Sequence, residues 1–291
     1  MTQKETITLV CPDCLVLDKE VVLGELQRLE MSGKLECEEC GAEYDVVEGI
    51  PILVPALHSS RLNLPDSSMD QEHLQYETKA TKRVADILAN NSSRLALDVG
   101  CGKGPYTDCF EGVNVELDIN YYFVDQARRA GSNETGDSYG VVADARYLPF
   151  AMDTFDLVFS SNLVEHLPAA DIEKALAGMK RVGCDSVQID VPNEKGFIKL
   201  VKRIATRLGL YGSPDYEDES LTHQSHFSPA DLRRMGFEVF GCVGWVTRER
   251  IDHPRLWSVY DRIVWRIPWF AGTLIGIIRM GARSPCRGDK N

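Results

Sequence analysis

The chain has 291 residues, 44% of them apolar and 26% charged, which suits a soluble protein with one α/β domain of the usual size, roughly 100–150 residues, plus a smaller module. Its net charge of −12 is unevenly spread: residues 1–56 hold 4 Lys/Arg against 12 Asp/Glu, residues 57–245 hold 19 against 28, and residues 246–291 hold 9 against 4. A body this acidic repels phosphate backbones, so no strong nucleic-acid signal is present and only the C-terminal segment is basic.

The first module, residues 1–56, carries Cys11-Pro-Asp-Cys14 and Cys37-Glu-Glu-Cys40, two CxxC knuckles with 22 residues between them. Each turn aims two thiolates at one ion, and two turns complete a closed tetrahedral site with no open position for chemistry. The long interval predicts a helix from about Leu23 to Met31. A module this small has little core of its own, and a structural zinc on Cys11, Cys14, Cys37 and Cys40 supplies the missing stability. The competing reading is four unrelated buried cysteines. The other five cysteines have no partner at matching spacing, which fits a reducing compartment, and the N-terminus lacks a basic-then-apolar signal pattern, so the expected location is cytoplasmic.

The stretch LECEECGAEYDVVEGIPILV at 35–54 resembles the small zinc-ribbon activator subunit that partners several tRNA, rRNA and protein methyltransferases, with Asp45 where that family has proline after the tyrosine. The resemblance implies a ribbon that packs on a methyltransferase and stabilises it, carried here in cis.

Residues 57–69 are rich in Ser, Pro and Asn, as a linker is, and from residue 70 to 245 helix-like and strand-like segments alternate, the pattern of a mostly parallel sheet. The expected strands are Leu95–Val99, Val113–Leu117, Ser138–Val142, Phe155–Ser160, Ser186–Val191 and Phe237–Val243, with a helix over Asp171–Arg181 whose Ile172, Leu176 and Met179 recur at helical spacing. After the first strand come Gly100, Gly102 and Gly104, which let the backbone turn sharply and approach a ligand closely. Asp98, two positions before the first glycine, suits a cationic ligand such as the ammonium of S-adenosylmethionine and opposes a pyrophosphate. Asp118 ends the next strand, where a carboxylate can accept both ribose hydroxyls.

Residues 95–167, including VADARYLPF at 142–150 and FDLVFSSNLVEHL at 155–167, resemble in order and spacing the motifs of class I S-adenosylmethionine-dependent methyltransferases of the small-molecule, quinone and lipid type. The resemblance implies a Rossmann-like α/β fold and assigns roles by position. Asp98 orients the amino-acid end, Gly100, Cys101, Gly102 and Gly104 lie by the sulfonium side, and Asp118 with Ile119 takes the ribose. Asp144 with Ala145 takes the adenine, and Ser161 and Asn162 border the methyl donor.

Methyl transfer to a hydroxyl benefits from a base. The candidates are His223 and His226 in THQSHFS at 222–228, and His166 after the fourth expected strand; each also has a purely structural reading, and the Ser228-Pro-Ala-Asp-Leu run reads as an N-capped helix start. Residues 194–220 read as an insertion that shapes the acceptor site. Within it Phe197, Val201, Ile204, Ala205 and Leu208 share one helical face, with Lys199, Lys202, Arg203 and Arg207 elsewhere, as in a membrane-surface helix or a solvated lid. Residues 246–291 read as a basic amphipathic tail: Leu256, Val259, Tyr260, Ile263, Val264 and Ile267 form a stripe, all four tryptophans fall between Trp245 and Trp269, and the run Ile267–Ile278 is too short to span a bilayer. The tail either lies on a membrane or packs internally. The expected function is methylation of a small-molecule, lipid-linked or glycan acceptor; the alternatives are an RNA methyltransferase and a non-catalytic S-adenosylmethionine-binding module.

Overall fold

Leu95–Val99 is buried at every residue, and the strands beside it are buried over most of their length, as in a parallel sheet covered on both faces. The computed structural model describes residues 6–61, 82–89, 93–110, 112–131, 138–208, 223–242 and 254–280. In chain order the strands are β1 (Thr8–Val10), β2 (Val22–Glu25), β3 (Ser32–Glu36), β4 (Glu43–Val47), β5 (Ile50–Leu53), β6 (Leu95–Val99), β7 (Val113–Asp118), β8 (Ser138–Ala143), β9 (Phe155–Ser161), β10 (Gly183–Pro192), β11 (Glu238–Cys242) and β12 (Thr273–Arg279). The helices are α1 (Pro12–Leu15), α2 (Lys82–Ala89), α3 (Tyr121–Gly131), α4 (Ala169–Val182), α5 (Phe197–Arg207), α6 (Pro229–Arg234) and α7 (Pro254–Arg266).

Ten strands form one sheet in the order β11-β12-β10-β9-β6-β7-β8-β5-β4-β3. Strands β10, β9, β6, β7, β8 and β5 run parallel, with Leu97 opposite Val115 on one side and Val158 on the other. This is the Rossmann-like arrangement expected from the sequence, and all six expected strands are present within a few residues of their bounds.

The N-terminal module differs from expectation in two respects. Residues Leu23 to Met31 are not a helix: β2 occupies Val22–Glu25, one 3-10 turn covers Leu26–Arg28, and β3 follows. The long interval between the knuckles is filled instead by strand and a single turn, from which Leu26 points inward. Nor does the module keep to itself. Ile7, Leu9, Leu26, Tyr44 and Leu53 belong to the same core cluster as Leu97, Phe150 and Met179, and β5 pairs with β8 through Ile52–Val142 and Leu53–Ala143. The two-residue turn Glu48-Gly49, both with positive φ, closes the β4–β5 hairpin and sets that strand in place.

The boundary at 245 also moves. The segment expected to be a tail contributes β12, inserted antiparallel between β10 and β11 with Leu274 and Ile275 fully buried. The run Ile267–Ile278 is therefore largely an interior strand rather than an interfacial segment. Helix α7 lies against β11, where Trp265 stacks on Phe240 at 4.3 Å, while Val259, Ile263 and Ile267 remain exposed. Residues 62–69 of the expected linker, 209–220 of the expected insertion, and 246–253 and 281–291 of the expected tail lie outside the described residues.

Candidate active site and cysteine cluster

Cys11 caps α1, its sulfur accepting from Cys14 N at 3.4 Å, and the turn after β3 brings Cys37 and Cys40 opposite. Sulfur separations are 3.6 Å for Cys11–Cys40 and 3.8 Å for Cys14–Cys37, and all four sulfurs lie within 4.8 Å of one another. Three of the cysteines are buried and Cys40 is exposed. Tyr44 Oη sits 3.1 Å from Cys11 Sγ and donates to Asp13 Oδ2 at 2.6 Å, while Asp13 Oδ1 accepts from Ala56 N at 3.1 Å. The donor set and its compactness fit a four-thiolate zinc centre supported by an outer ring of hydrogen bonds.

The parallel strands end together on one edge of the sheet, the edge at which α/β proteins bind ligands. There β6 runs into a turn whose Gly100, Gly102 and Gly104 have φ of 78°, 51° and 74°. A Cβ on Gly104 would lie 2.9 Å from the Ala127 backbone, so α3 can approach the turn only with glycine there. Leu117 O accepts from Gly100 N at 2.7 Å and Cys101 N at 3.0 Å. Asp118 ties the turn to the start of α3, accepting from Gly102 N at 3.2 Å and from Asn120 N at 2.8 Å. Ile119 beside it is half-buried.

Under this turn lies a set of buried acids. Asp98, Glu116 and Asp190 are each at most 1% exposed, and each keeps one carboxyl oxygen without a hydrogen-bond partner among the described residues. Asp190 accepts from Ser161 Oγ at 2.8 Å. Burial, then the neighbouring Glu116, Asp190 and Asp118, pushes Asp98 well above the usual carboxylate range, and burial raises Glu116 and Asp190 to about 7. Such a set fits a ligand bearing positive charge, as S-adenosylmethionine does.

A pH dependence follows. In the unfolded chain Glu116 and Asp190 titrate near 4.5 and 3.8, whereas in the folded protein they hold protons to about 7. Their contribution to stability is complete below the unfolded values and is lost as pH rises through about 7. A cationic ligand favours the ionised forms, so the rise in melting temperature produced by S-adenosylmethionine should grow between about pH 6 and about pH 8. Melting curves with and without the ligand check this, and a gain that shrinks over that range would count against it.

Asp144, at the end of β8, is gripped by Arg146, whose backbone N and Nε both donate to Oδ1 at 3.0 and 2.8 Å while Nη2 donates to Oδ2. Burial alone would raise Asp144, but these bonds and the Arg146 charge hold it below the usual range. Arg146 also reaches Asp171 at 3.0 Å and His58 Nδ1 at 3.2 Å, and His58 stacks on Tyr147. Beyond its bond from Arg146, Oδ2 keeps capacity to accept one more donor. Ala145 is half-buried beside it. Arg146 and His58 were not singled out from the sequence; the first follows Asp144 by two residues in a tight turn, and the second comes from residues read as linker.

Past β9, Asn162 is exposed with φ of 49°, and its Nδ2 donates to Ser161 Oγ at 3.1 Å. The 3-10 turn Val164–His166 follows, and its Glu165 carbonyl accepts from Gln224 N and Ser225 N, both at 2.9 Å. That pair of bonds brings His223 beside His166, ring centroids 5.0 Å apart, and within 3.5 Å of Glu194. Burial and then His166 hold His223 below the ordinary imidazole value, and burial lifts Glu165 to about 8. The two histidines expected to share one role are separated: His223 is in this cluster, whereas His226 is exposed ahead of α6, whose capping box is built by Ser228 and Asp231. Glu165, Asp190 and Glu194 complete the site and were missed, since nothing local marks an acid that will be buried.

A family model described as a methyltransferase domain matches residues 97–185. The human protein called arginine-hydroxylase NDUFAF5, mitochondrial, is 38% identical over 99 residues, a match that covers 32% of this chain and only 27% of the human one. Among solved structures, an S-adenosylmethionine-dependent methyltransferase from Archaeoglobus fulgidus has a TM-score of 0.45 at 19% identity, covering 72% of this chain and all of that one. Magnesium protoporphyrin IX methyltransferase from Synechocystis, with bound S-adenosylhomocysteine, has 0.45 at 14%, covering 74% and 90%. Strand order, the acid-floored glycine turn and the family match together identify a class I S-adenosylmethionine-dependent methyltransferase domain at residues 97–185.

Proposed function

We propose that the chain is a methyltransferase that acts on a small-molecule, lipid-linked or glycan acceptor presented at an anionic membrane surface, with a structural zinc in its N-terminal ribbon. The observation that carries the methyl-transfer reading is the group of buried carboxyls under the glycine turn, Asp98, Glu116 and Asp190, each with one oxygen that has no hydrogen-bond partner among the described residues. When bound, S-adenosylmethionine supplies an electrophilic methyl group. Asp98 holds the ammonium end, Asp118 accepts the ribose hydroxyls and Asp144 accepts from the adenine amino group. Ser161, Asn162 and His223 stand where the acceptor arrives, and holding that atom in line is the larger part of catalysis.

For the acceptor, the support is an exposed apolar face. Phe197, Leu200, Val201, Ile204 and Leu208 of α5 and its end, and Val259, Ile263, Ile267, Trp269 and Phe270 around α7, are all at least 37% exposed. Phe197 and Phe270 join the two groups with ring centroids 5.2 Å apart. Lys199, Arg203, Arg207, Arg262 and Arg266 accompany them in an otherwise acidic chain. Apolar side chains and tryptophan amid basic residues suit the headgroup boundary of anionic lipid. Among the described residues no helix is long and apolar enough to cross a membrane. RNA is opposed by the ribbon, whose 4 basic residues face 12 acidic ones, and a non-catalytic binding role by the complete cofactor set.

Labelled methionine fed to cells with and without the protein, followed by comparison of lipid and water-soluble extracts, tests the reaction; no differential label in either fraction counts against it. Vesicle co-sedimentation tests the surface. Removing residues after 250 would also remove β12, so point changes are the cleaner probe. The full chain should sediment with anionic but not zwitterionic vesicles, less at high salt, and Ile263→Glu with Trp269→Glu should reduce binding by on the order of tenfold or more. A wild-type chain that stays in the supernatant would leave the membrane-linked acceptor without support.

A further inference from the structure

We infer that Glu165, His166 and His223 form a binding site for a divalent transition-metal ion at the acceptor end of the methyltransferase domain. One donor atom from each lies within 4.8 Å of the others, so bonds of about 2.0–2.2 Å to a common centre require shifts of no more than about 0.8 Å. Glu165 is 1% exposed, and neither of its carboxyl oxygens has a hydrogen-bond partner among the described residues. A buried, unpartnered carboxyl is costly unless a cation or donor meets it.

The surroundings are built to hold the three together. The loop bearing His223 is tied to the turn bearing the other two by the bonds from Gln224 N and Ser225 N to Glu165 O, and Ser225 Oγ adds a bond to Leu167 O at 2.9 Å. Glu194 stands 3.5 Å from His223 Nδ1, which has no hydrogen-bond partner among the described residues, so a small approach would let the carboxylate fix the tautomer of a ligating imidazole, and Lys199 at 2.7 Å holds Glu194 in turn. Two imidazoles and one carboxylate select manganese, iron, cobalt or zinc over calcium and magnesium, which favour all-oxygen sites. Three protein ligands leave positions open for an oxygen of the acceptor. Ligation makes His223 a ligand rather than a proton acceptor. The inference is independent of the methyl-transfer reading, and its test needs no turnover.

Manganese(II) is the probe, because it is poorly matched to the four-thiolate cluster. Titration of the full chain carrying no more than one equivalent of zinc, which the four-thiolate cluster takes first, with free manganese read by electron paramagnetic resonance, should show one bound manganese per chain. Glu165→Gln and His223→Ala should each weaken binding at least about tenfold, while His226→Ala, at the exposed neighbouring histidine, should bind as wild type. Melting curves establish that each variant is folded, and His166→Gln replaces either one that is not. Absence of bound manganese in the wild type would overturn the assignment, as would folded variants that bind it undiminished or an equal loss in His226→Ala.

Discussion

Cys14→Ser should abolish the zinc binding proposed for the four-cysteine cluster and lower the melting temperature of the whole protein in one transition, by on the order of 10 °C or more. Structural zinc sites contribute apparent binding energies of roughly 10–16 kcal/mol, as large as the roughly 5–15 kcal/mol by which a domain is stable at all. A ribbon that folded alone would melt alone. Here Leu9, Leu26 and Tyr44 share a core with Leu97 and Phe150, and β5 is hydrogen-bonded to β8, so loosening the knuckles exposes the sheet itself. Metal analysis and calorimetry of the two proteins measure the effect. Two separate transitions with the upper one unmoved would show that the shared core does not couple them, and wild-type protein free of zinc would end the metal reading.

The second large effect is on the cofactor. Asp118→Ala should weaken S-adenosylmethionine by about 1.5–3 kcal/mol, or roughly 10- to 150-fold, through loss of charge-assisted bonds to the ribose. The same carboxylate holds Gly102 N and Asn120 N, so the glycine turn slackens as well. Asp118→Asn keeps one carbonyl oxygen as an acceptor and should lose less. Titration calorimetry separates the two variants, and unchanged affinity in Asp118→Ala would mean that the ribose lies elsewhere.

The central strands were legible because each is a short apolar run bounded by turn residues, and the glycine turn because few residues other than glycine tolerate its positive φ. Strand β12 was not, although Leu274-Ile-Gly-Ile-Ile278 has the length and branched residues of a buried strand. Its neighbours Trp265 and Trp269 drew the reading toward a membrane, and an apolar run does not announce which apolar surroundings it will meet. In the ribbon, the 22-residue interval between the knuckles does not distinguish a helix from the strand, turn and second strand that fill it. The difference between His223 and His226 was beyond local reading, since it depends on two backbone bonds to Glu165, a residue far away in the chain.

Among the described residues, strand β11 is hydrogen-bonded within the sheet to β12 alone, and β12 is also what covers the outer side of β10. During synthesis residues 238–242 therefore leave the ribosome with no partner, and β10 stays an open edge until residues 273–279 follow. Strand β12, which follows β11 in the chain, is an interior one, so this half of the sheet closes only once residues 273–279 have been made rather than growing outward from its first strands. A chain released early would present β10 as a long unpaired edge, able to pair with the same edge of another unfinished copy.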